Sequence, residues 1–437
     1  MIAAELLTLA TCDLGAIVRG RSIVSSELGE HLLSGVGWVP ANLALTPLGE
    51  LAEPNPFGST GDLRLLPDPA THMRVGAEEQ GSALELVLCD IVELDGRPWQ
   101  CCPRNFLRGA LAAFAEETGA TVSASFEHEF QLLGDERVAP AFSLEAQRRA
   151  EPFPSMLMAA LVEAGAEPER IFPEFASLQF EVPVAPASGL QAADRAVVLR
   201  EVVREIARRC ARRATFAPLS DVKEAGNGVH IHLSLHDERG RPLLYDERGP
   251  AGLSGLGTRF AAGVLAHARA LSAICAPSPV SGERLRPHHW SAGAACLAAG
   301  NREALLRIPG IVSVGDASPA EQMRLEYRGA DAAANPHLAL GAIVHAGLQG
   351  IREQLPAPPL LERDPAELDA QEAERFGVGA LPASLQEALD ALAQDRVAAS
   401  WFPALLLEAF VSLKRSELAG CAELSLEESC RRYGEIY

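Results

Sequence analysis

The sequence predicts an α+β protein, and three observations predict it. The first 99 residues show strand-like alternation between Gly- and Pro-rich turns, with little helical period. From Asn105 onward, short alternating runs exchange with stretches in which apolar residues recur every three or four positions. Several of the alternating runs carry charged or polar side chains two residues apart, which places them on one strand face.

The elements follow in order. Leu14 to Val24, with Gly15 and Gly20 among alternating apolar residues, reads as a hairpin. A Gly/Pro/Asn-rich loop around Pro54 to Gly61 precedes Asp62–Pro69 (DLRLLPDP), and Leu84 to Val92 reads as a strand. Asn105 to Thr118 is helical through Phe106, Leu107, Ala110, Leu111 and Phe114, and Gly119 ends it. The domain boundary is set before that helix, giving residues 1–99 and 100–437. Beyond it come a strand at Val122–Leu133, a helix at Phe153–Ala164 stopped by Gly165, and a strand at Leu178–Val184. Ala192–Arg213 is a long helix with arginines on its wet face, and Val229–Leu235 is a strand. Gly257–Ile274 is a helix, Leu325–Tyr327 a short strand and Ala339–Gln354 a helix, and the last 80 or so residues are mostly helical.

Composition excludes several classes. With 437 residues, 48% hydrophobic, the chain can build large cores. A formal net charge of −20 repels nucleic acid and anionic membrane, and 5% aromatics leave little for base stacking. The opening MIAAELLTLA lacks a basic n-region, so no secretory signal is read. Val397–Leu413, interrupted by Pro403 and Glu408, is too short to span a membrane and reads as one buried amphipathic helix. Nine scattered cysteines without a C-x-x-C pair suit reduced thiols in the cytoplasm.

The polar strand faces carry the chemistry. Glu127 and Glu129 point the same way from one strand. Folding gains nothing from two adjacent like charges, so they mark either a solvated face or a divalent-cation site. Glu174 and Glu181 flank a strand on which Gln179 and Glu181 share a face opposite Leu178, Phe180 and Val182. Either a cation or a half-exposed edge explains them. His230, His232 and Ser234 share a face after two glycines that permit close backbone approach to a ligand. H-x-H binds metal in some proteins and is a structural pair in others. Arg302 and Arg307 follow, and Arg324, Glu326 and Arg328 share one face, as an ion-pair ladder or as a clamp for phosphate and carboxylate. Taken together, carboxylates outnumber imidazoles and no thiolate is involved, which favours Mg²⁺ or Mn²⁺ over zinc. Metals beside arginines suit phosphoryl transfer.

These segments, in this order, resemble the glutamine synthetase family. The matching motifs are Phe126–Phe130 (FEHEF), Glu174–Glu181, Gly226–Ser234 (GNGVHIHLS), Arg284-Leu285, Asn301-Arg302, Arg307–Pro309 (RIP), Arg324–Arg328 (RLEYR) and Ala334–Pro336 (ANP). The resemblance implies a β-grasp N-terminal domain and a catalytic domain around a curved antiparallel sheet with surrounding helices. It also implies homo-oligomeric rings, usually dodecamers, with active sites between neighbouring subunits. By position, Glu129, Glu174 and Glu181 would hold one metal, and Glu127, His230 and Glu326 the other, next to the ATP phosphates. His232 and Ser234 would lie near the nucleotide, and Arg302, Arg307 and Arg324 would face phosphate. Arg284 and Arg328 would meet the substrate carboxylate and the transferred phosphoryl group, and Gly226 would approach the amino acid through its backbone. The implied reaction joins the γ-carboxylate of L-glutamate to an amine through an acyl phosphate made from ATP.

The sequence also departs from the family. The N-terminal acid that serves ammonium falls in Gly35–Asn42 (GVGWVPAN), which has none, and the flap glutamate position falls on Trp290. The Lys-Pro before the glycines is Leu219-Ser220, and the neighbouring Asn is Ala225. Losing two acids and gaining an indole favours an organic amine or polyamine packed on Trp290, with a cation–π contact available to its ammonium form. Trp290 as a plain packing residue is the alternative, and His288 and His289 are candidate bases or incidental. The expected activity is an ATP-dependent glutamate–amine ligase. The alternatives are a glutamine synthetase using ammonia and a non-catalytic sensor.

Overall fold

The computed structural model describes residues 4–76, 82–134, 139–289 and 291–437. Its strands form two sheets flanked by helices, as expected for an α+β protein. The first sheet contains β1 (Leu6–Cys12), β2 (Val18–Val24), β3 (Val36–Trp38), β4 (Leu63–Pro67), β5 (Met73–Val75) and β6 (Leu84–Val92). Its order is β2-β1-β6-β4-β3, with β5 also on β6, and β1 runs parallel to β6. The hairpin read at Leu14–Val24 is the turn and second strand of a longer one, whose first strand is β1.

The second sheet contains β7 (Ala120–Leu133), β8 (Phe172–Pro173), β9 (Gln179–Pro183), β10 (Ala187–Ser188), β11 (Arg213–Thr215), β12 (Val229–Asp237), β13 (Ala294–Ala298), β14 (Ala304–Arg307) and β15 (Leu325–Ala330). Its order is β13-β14-β15-β12-β7-β9-β8, and β10 and β11 also pair with β7. Pairing is antiparallel except at the β13–β14 edge, which is parallel.

Strand β7 shows why the sheet has a wet and a dry face. Phe126, His128 and Phe130 are buried on one side. Phe130 meets Phe153, Phe180 and Phe216 with ring centroids 5.9, 6.2 and 5.4 Å away. Burying each such ring contributes roughly 2–3 kcal/mol. The alternation that buries these rings turns Glu127 and Glu129 the other way. The helices Pro103–Thr118 and Gly189–Arg209 pack on β7, and Pro336–Arg352 packs on those helices in turn. The Pro103–Thr118 helix ends on Gly119 at φ 66°, a left-handed cap that glycine adopts without strain.

Three helical expectations need correction. Gly257–Ile274 is two helices, Gly255–Ala266 and Ala268–Cys275. His267 leaves the helical path between them, and its Nδ1 lies 2.6 Å from Asp395 Oδ2 while its ring packs edge-on against Trp401. Val397–Leu413 is likewise split, because Pro403 ends one segment (Arg396–Ser400) and starts the next (Ala404–Cys421). The arginines of Gly189–Arg209 are not all wet. Arg200 is buried and donates to the carbonyls of Ala332 and Ala16 at 2.7 and 2.9 Å, which ties the first sheet to the second. Among the described residues no helix is long and apolar enough to cross a membrane.

His345 supplies a pH dependence. Its ring lies 5.5 Å from that of Phe106 and stacks on Trp401 at 5.9 Å, and burial pushes its pKa down to about 4. The unfolded chain therefore binds a proton near its ordinary value, about 6.5, while the folded chain does not. The sign follows: stability falls as pH drops from about 6.5 towards 4, by up to about 1.4 kcal/mol per pH unit for this one group. Urea midpoints measured across this range should flatten in His345→Leu relative to the parent.

Candidate active site

Register brings the polar faces together. On β12 and β7, His230 pairs with Glu127, and on β7 and β9, Glu129 pairs with Glu181. On β12 and β15, His232 pairs with Glu326, which in turn faces Arg307 on β14. Five neighbouring strands thus present their charged sides to one cavity of about 520 Å³.

The cavity gathers Glu127, Glu129, Glu174, Glu181, His230, Glu326, Gly226, His232, Arg284, Arg302, Arg307, Arg324 and Arg328, all expected from sequence. Ser234 instead lines an adjoining recess of about 240 Å³, which shares Glu127, His232 and Arg324 with the main cavity. Trp290 lies outside the described residues. Gly35–Asn42 is not in the cavity lining of this subunit.

Among the described residues two sets of ligand atoms converge within 4.8 Å: Glu127, Glu181 and His230, and Glu127, His232 and Glu326. The resemblance divides the acids differently, placing Glu181 with Glu129 and Glu174. His230 Nδ1 lies 3.6 Å from Glu127 Oε2 and 3.8 Å from Glu326 Oε1, and its Nε2 is 3.9 Å from Glu129 Oε1. That Nε2 is buried without a hydrogen-bond partner. His232 Nε2 lies 3.1 Å from Glu127 Oε2.

The electrostatics are unbalanced. Burial and then repulsion by Glu127, Glu129 and Glu174 push Glu181 up to about 10. Burial and Glu129 push Glu174 up to about 7. Burial also opposes charge on Glu127, but His230 and His232 outweigh it and hold that carboxyl well below the usual range. Glu326 is held down to about 2, because His230, Arg328, His232 and Arg307 overcome its burial. Crowded acids of which two resist ionising, hard oxygen donors and an orphaned imidazole nitrogen all fit a divalent cation.

The arginines form the other wall. Arg307 Nη1 donates to Glu326 Oε2 at 2.8 Å, and Arg328 Nη1 donates to Glu326 Oε1. Arg324 Nε donates to His232 Nδ1 at 3.2 Å. Arg284 is buried, donates Nη2 to Ala330 O at 2.8 Å, and leaves its Nε without a partner, as does Arg307. Gly226 is required by this packing: a Cβ there would sit 2.3 Å from Pro218 O and 2.6 Å from Arg284 Cγ. The glycine expected to admit a ligand first admits Arg284.

Sequence reasoning missed Arg170 and three phenylalanines, Phe142, Phe172 and Phe175, which also line the cavity. Arg170 reaches within 4.0 Å of Glu127. These residues sit in loops or at the edge strand, where no period marks a face. The one available signal was the position of Phe175 beside Glu174.

Sheet, cavity and charge pattern define an α+β protein whose site suits a divalent cation beside an anionic group. Residues 100–433 match the family model of the glutamine synthetase catalytic domain, and residues 2–99 match the glutamine synthetase N-terminal domain. The chain belongs to the glutamine synthetase family and is an ATP-dependent carbon–nitrogen ligase. It is 33% identical over 428 residues to the γ-glutamylpolyamine synthetase GlnA3 of Streptomyces coelicolor, covering 95% of this chain and 90% of that one. It is 30% identical over 367 residues to the glutamine synthetase of Methanocaldococcus jannaschii, covering 82% and 79%. A crystal structure described as a novel glutamine synthase homolog superposes with a TM-score of 0.92 at 47% identity, covering 100% of this chain and 99% of the other. The GmaS–ADP complex superposes with a TM-score of 0.82 at 27% identity, covering 97% and 95%.

Proposed function

We propose that this chain joins the γ-carboxylate of L-glutamate to an organic amine, at the expense of ATP, through γ-glutamyl phosphate. The observation that carries this reading is one cavity with an acid–imidazole cluster facing arginines that keep unpartnered N–H groups. The lack of any acid in Gly35–Asn42 favours an amine over ammonium. The polyamine-ligase name of a relative that matches nearly the whole chain supports it.

In this reading Glu129, Glu174 and Glu181 hold one Mg²⁺ or Mn²⁺, and Glu127, His230 and Glu326 hold another. Such ions would screen phosphate oxygens and favour attack on the γ-phosphorus. Arg302, Arg307 and Arg324 bind the phosphates, and His232 and Ser234 adjoin the nucleotide in the recess beside the cavity. Arg284 and Arg328 orient the substrate carboxylate and then the phosphoryl group. A γ-carboxylate oxygen attacks the γ-phosphorus of ATP, and ADP leaves with the electrons of the broken P–O bond. The amine nitrogen then attacks the acyl carbon, inorganic phosphate leaves, and the nitrogen loses a proton. The arginines stabilise charge in both steps.

We also place the division between a β-grasp N-terminal domain and the catalytic domain at residues 99 and 100. A dodecameric ring with shared active sites is the proposed assembly. Leu33 and Leu94, 96% and 69% exposed in turns beside the N-terminal sheet, support a covered face there. Free cysteines, most of them buried, suit the cytoplasm.

Phosphate release from ATP with L-glutamate tests the activity, comparing ammonium with a panel of amines. Turnover with one organic amine should exceed that with ammonium by about tenfold or more. Turnover with ammonium alone would assign a glutamine synthetase instead.

A further inference from the structure

The turn that carries Glu174 and the loop that carries Gly226 are joined by one side chain. Strand β8 ends at Pro173, the chain turns through residues 174–178, and β9 returns antiparallel from Gln179. The turn is not a relaxed one. Leu178 lies at φ 50°, a left-handed conformation uncommon outside glycine, so bonds made elsewhere must hold it.

Gln179 supplies those bonds. Its backbone O accepts from Glu174 N–H at 2.8 Å, and its own N–H donates to Ala176 O at 3.2 Å. Its Oε1 accepts from Ala176 N–H at 3.0 Å. Its Nε2 donates to Gly226 O at 2.9 Å and to Asn227 Oδ1 at 3.0 Å. The backbone partners fix which way the amide points, because Ala176 N–H can only donate and Gly226 O can only accept. Asn227 is anchored in turn, donating Nδ2 to Ala217 O at 2.9 Å. A second link runs alongside, from Ser177 N–H to Glu224 Oε2 at 3.2 Å.

Gln179 is 2% exposed and uncharged, so it makes this junction without adding to the repulsion among the acids. Both N–H groups of its amide are used within the protein, which leaves no donor for a substrate. What it does, it does through others. Glu181 follows two residues on along the same strand face, Glu174 opens the turn, and Gly226 lies across the junction.

We infer that Gln179 is a positioning residue, whose single amide sets both Glu174 for the metal and the Gly226 loop for the amino-acid substrate. This inference rests on the ligase reading above, in which Glu174 holds a metal and Gly226 meets the substrate.

The test is Gln179→Met, which keeps the length of the side chain and removes every bond of its amide. Calorimetric titration of Mn²⁺ should show an affinity about 10–100-fold weaker than that of the parent. KM for L-glutamate should rise about tenfold, with KM for ATP at saturating Mn²⁺ held within about twofold. Melting curves without metal show whether the variant folds. Glu224→Ala, at the half-buried second link, should move Mn²⁺ affinity and glutamate KM the same way by about threefold. It decides the matter if the buried substitution does not fold, and unchanged values there would then overturn the inference. Unchanged Mn²⁺ affinity in a folded Gln179→Met would overturn it as well. So would an equal loss of affinity for glutamate and ATP, the mark of general loosening. Glu174→Gln, titrated in parallel, tests the reading beneath. If it weakens Mn²⁺ binding while Gln179→Met does not, only the inference fails. If it binds Mn²⁺ as the parent does, the metal role of this turn fails and the inference with it.

Discussion

Glu127→Gln should lower phosphate release about 10³-fold. Glu127 belongs to both convergent ligand sets, so its charge counts twice. The two imidazoles keep it ionised, with His232 Nε2 at 3.1 Å and His230 Nδ1 at 3.6 Å. Glutamine keeps the shape and one oxygen but removes the charge. Affinity for Mg²⁺ or Mn²⁺ should fall about 100-fold, and the rise in melting temperature caused by the ion should shrink with it. Without metal, the change relieves repulsion on Glu181 but gives up the pull of two imidazoles, so the metal-free protein should be somewhat less stable at neutral pH. Calorimetric titration of Mn²⁺ and melting curves with and without the ion give both readouts. A variant that keeps its metal-induced stabilisation and its rate would remove this cluster from the chemistry. The same crowding sets a pH dependence. Glu181, pushed up to about 10, is protonated in the metal-free protein at neutral pH, so an incoming ion must displace a proton. Apparent affinity should therefore weaken as pH falls, and proton release should accompany binding.

The parts of the site that were legible in the sequence are those that follow strand period. Glu127 and Glu129, His230 and His232, and Glu326 and Arg328 each announced a shared face, because side chains two apart on a strand must point together. Register was not legible. Nothing local says that His230 lies opposite Glu127 or that Glu129 lies opposite Glu181, since both follow from pairing across distant strands. Arg170 and Phe142 were missed because loop residues carry no period. Arg200 was read as wet because charge usually is, yet two carbonyls and complete burial make it an anchor. The break at His267 has the same origin: a tertiary contact with Asp395 overrides a helical pattern that is locally unbroken.

Arg104→Met should cost about 3–5 kcal/mol of stability, the range for breaking a buried charge network from one side. Arg104 is 3% exposed and spends its whole guanidinium on three carboxylates. Nε and Nη2 grip Asp194 at 2.9 and 2.8 Å, Nη1 reaches Asp90 at 2.9 Å, and Nη2 also reaches Asp68 at 2.9 Å. Asp90 is on β6 of the first sheet, Asp68 follows β4, and Asp194 is on the helix that covers the second sheet. The residue is therefore a rivet between the two sheets, and methionine keeps its bulk while leaving three acids to repel. Asp194 retains only His337, 2.8 Å away. Arg104 and His337 hold the Asp194 carboxyl below its ordinary value against the effect of burial. A depressed folded pKa stabilises the fold above the unfolded value, about 4, and that stability is lost as pH falls further. Arg104→Met should therefore flatten the acid limb of the stability curve as well as lower the plateau. Urea unfolding at pH 7 and at pH 4 down to about 2.5 measures both, and Asp194→Asn in the same background isolates the pair. If the rivet holds the sheets as the geometry requires, hydrogen exchange in β6 should accelerate in the variant while β12 stays protected, because the strands that frame the cavity keep their own ladder. Equal acceleration in both sheets would show that Arg104 supports the whole fold rather than this junction.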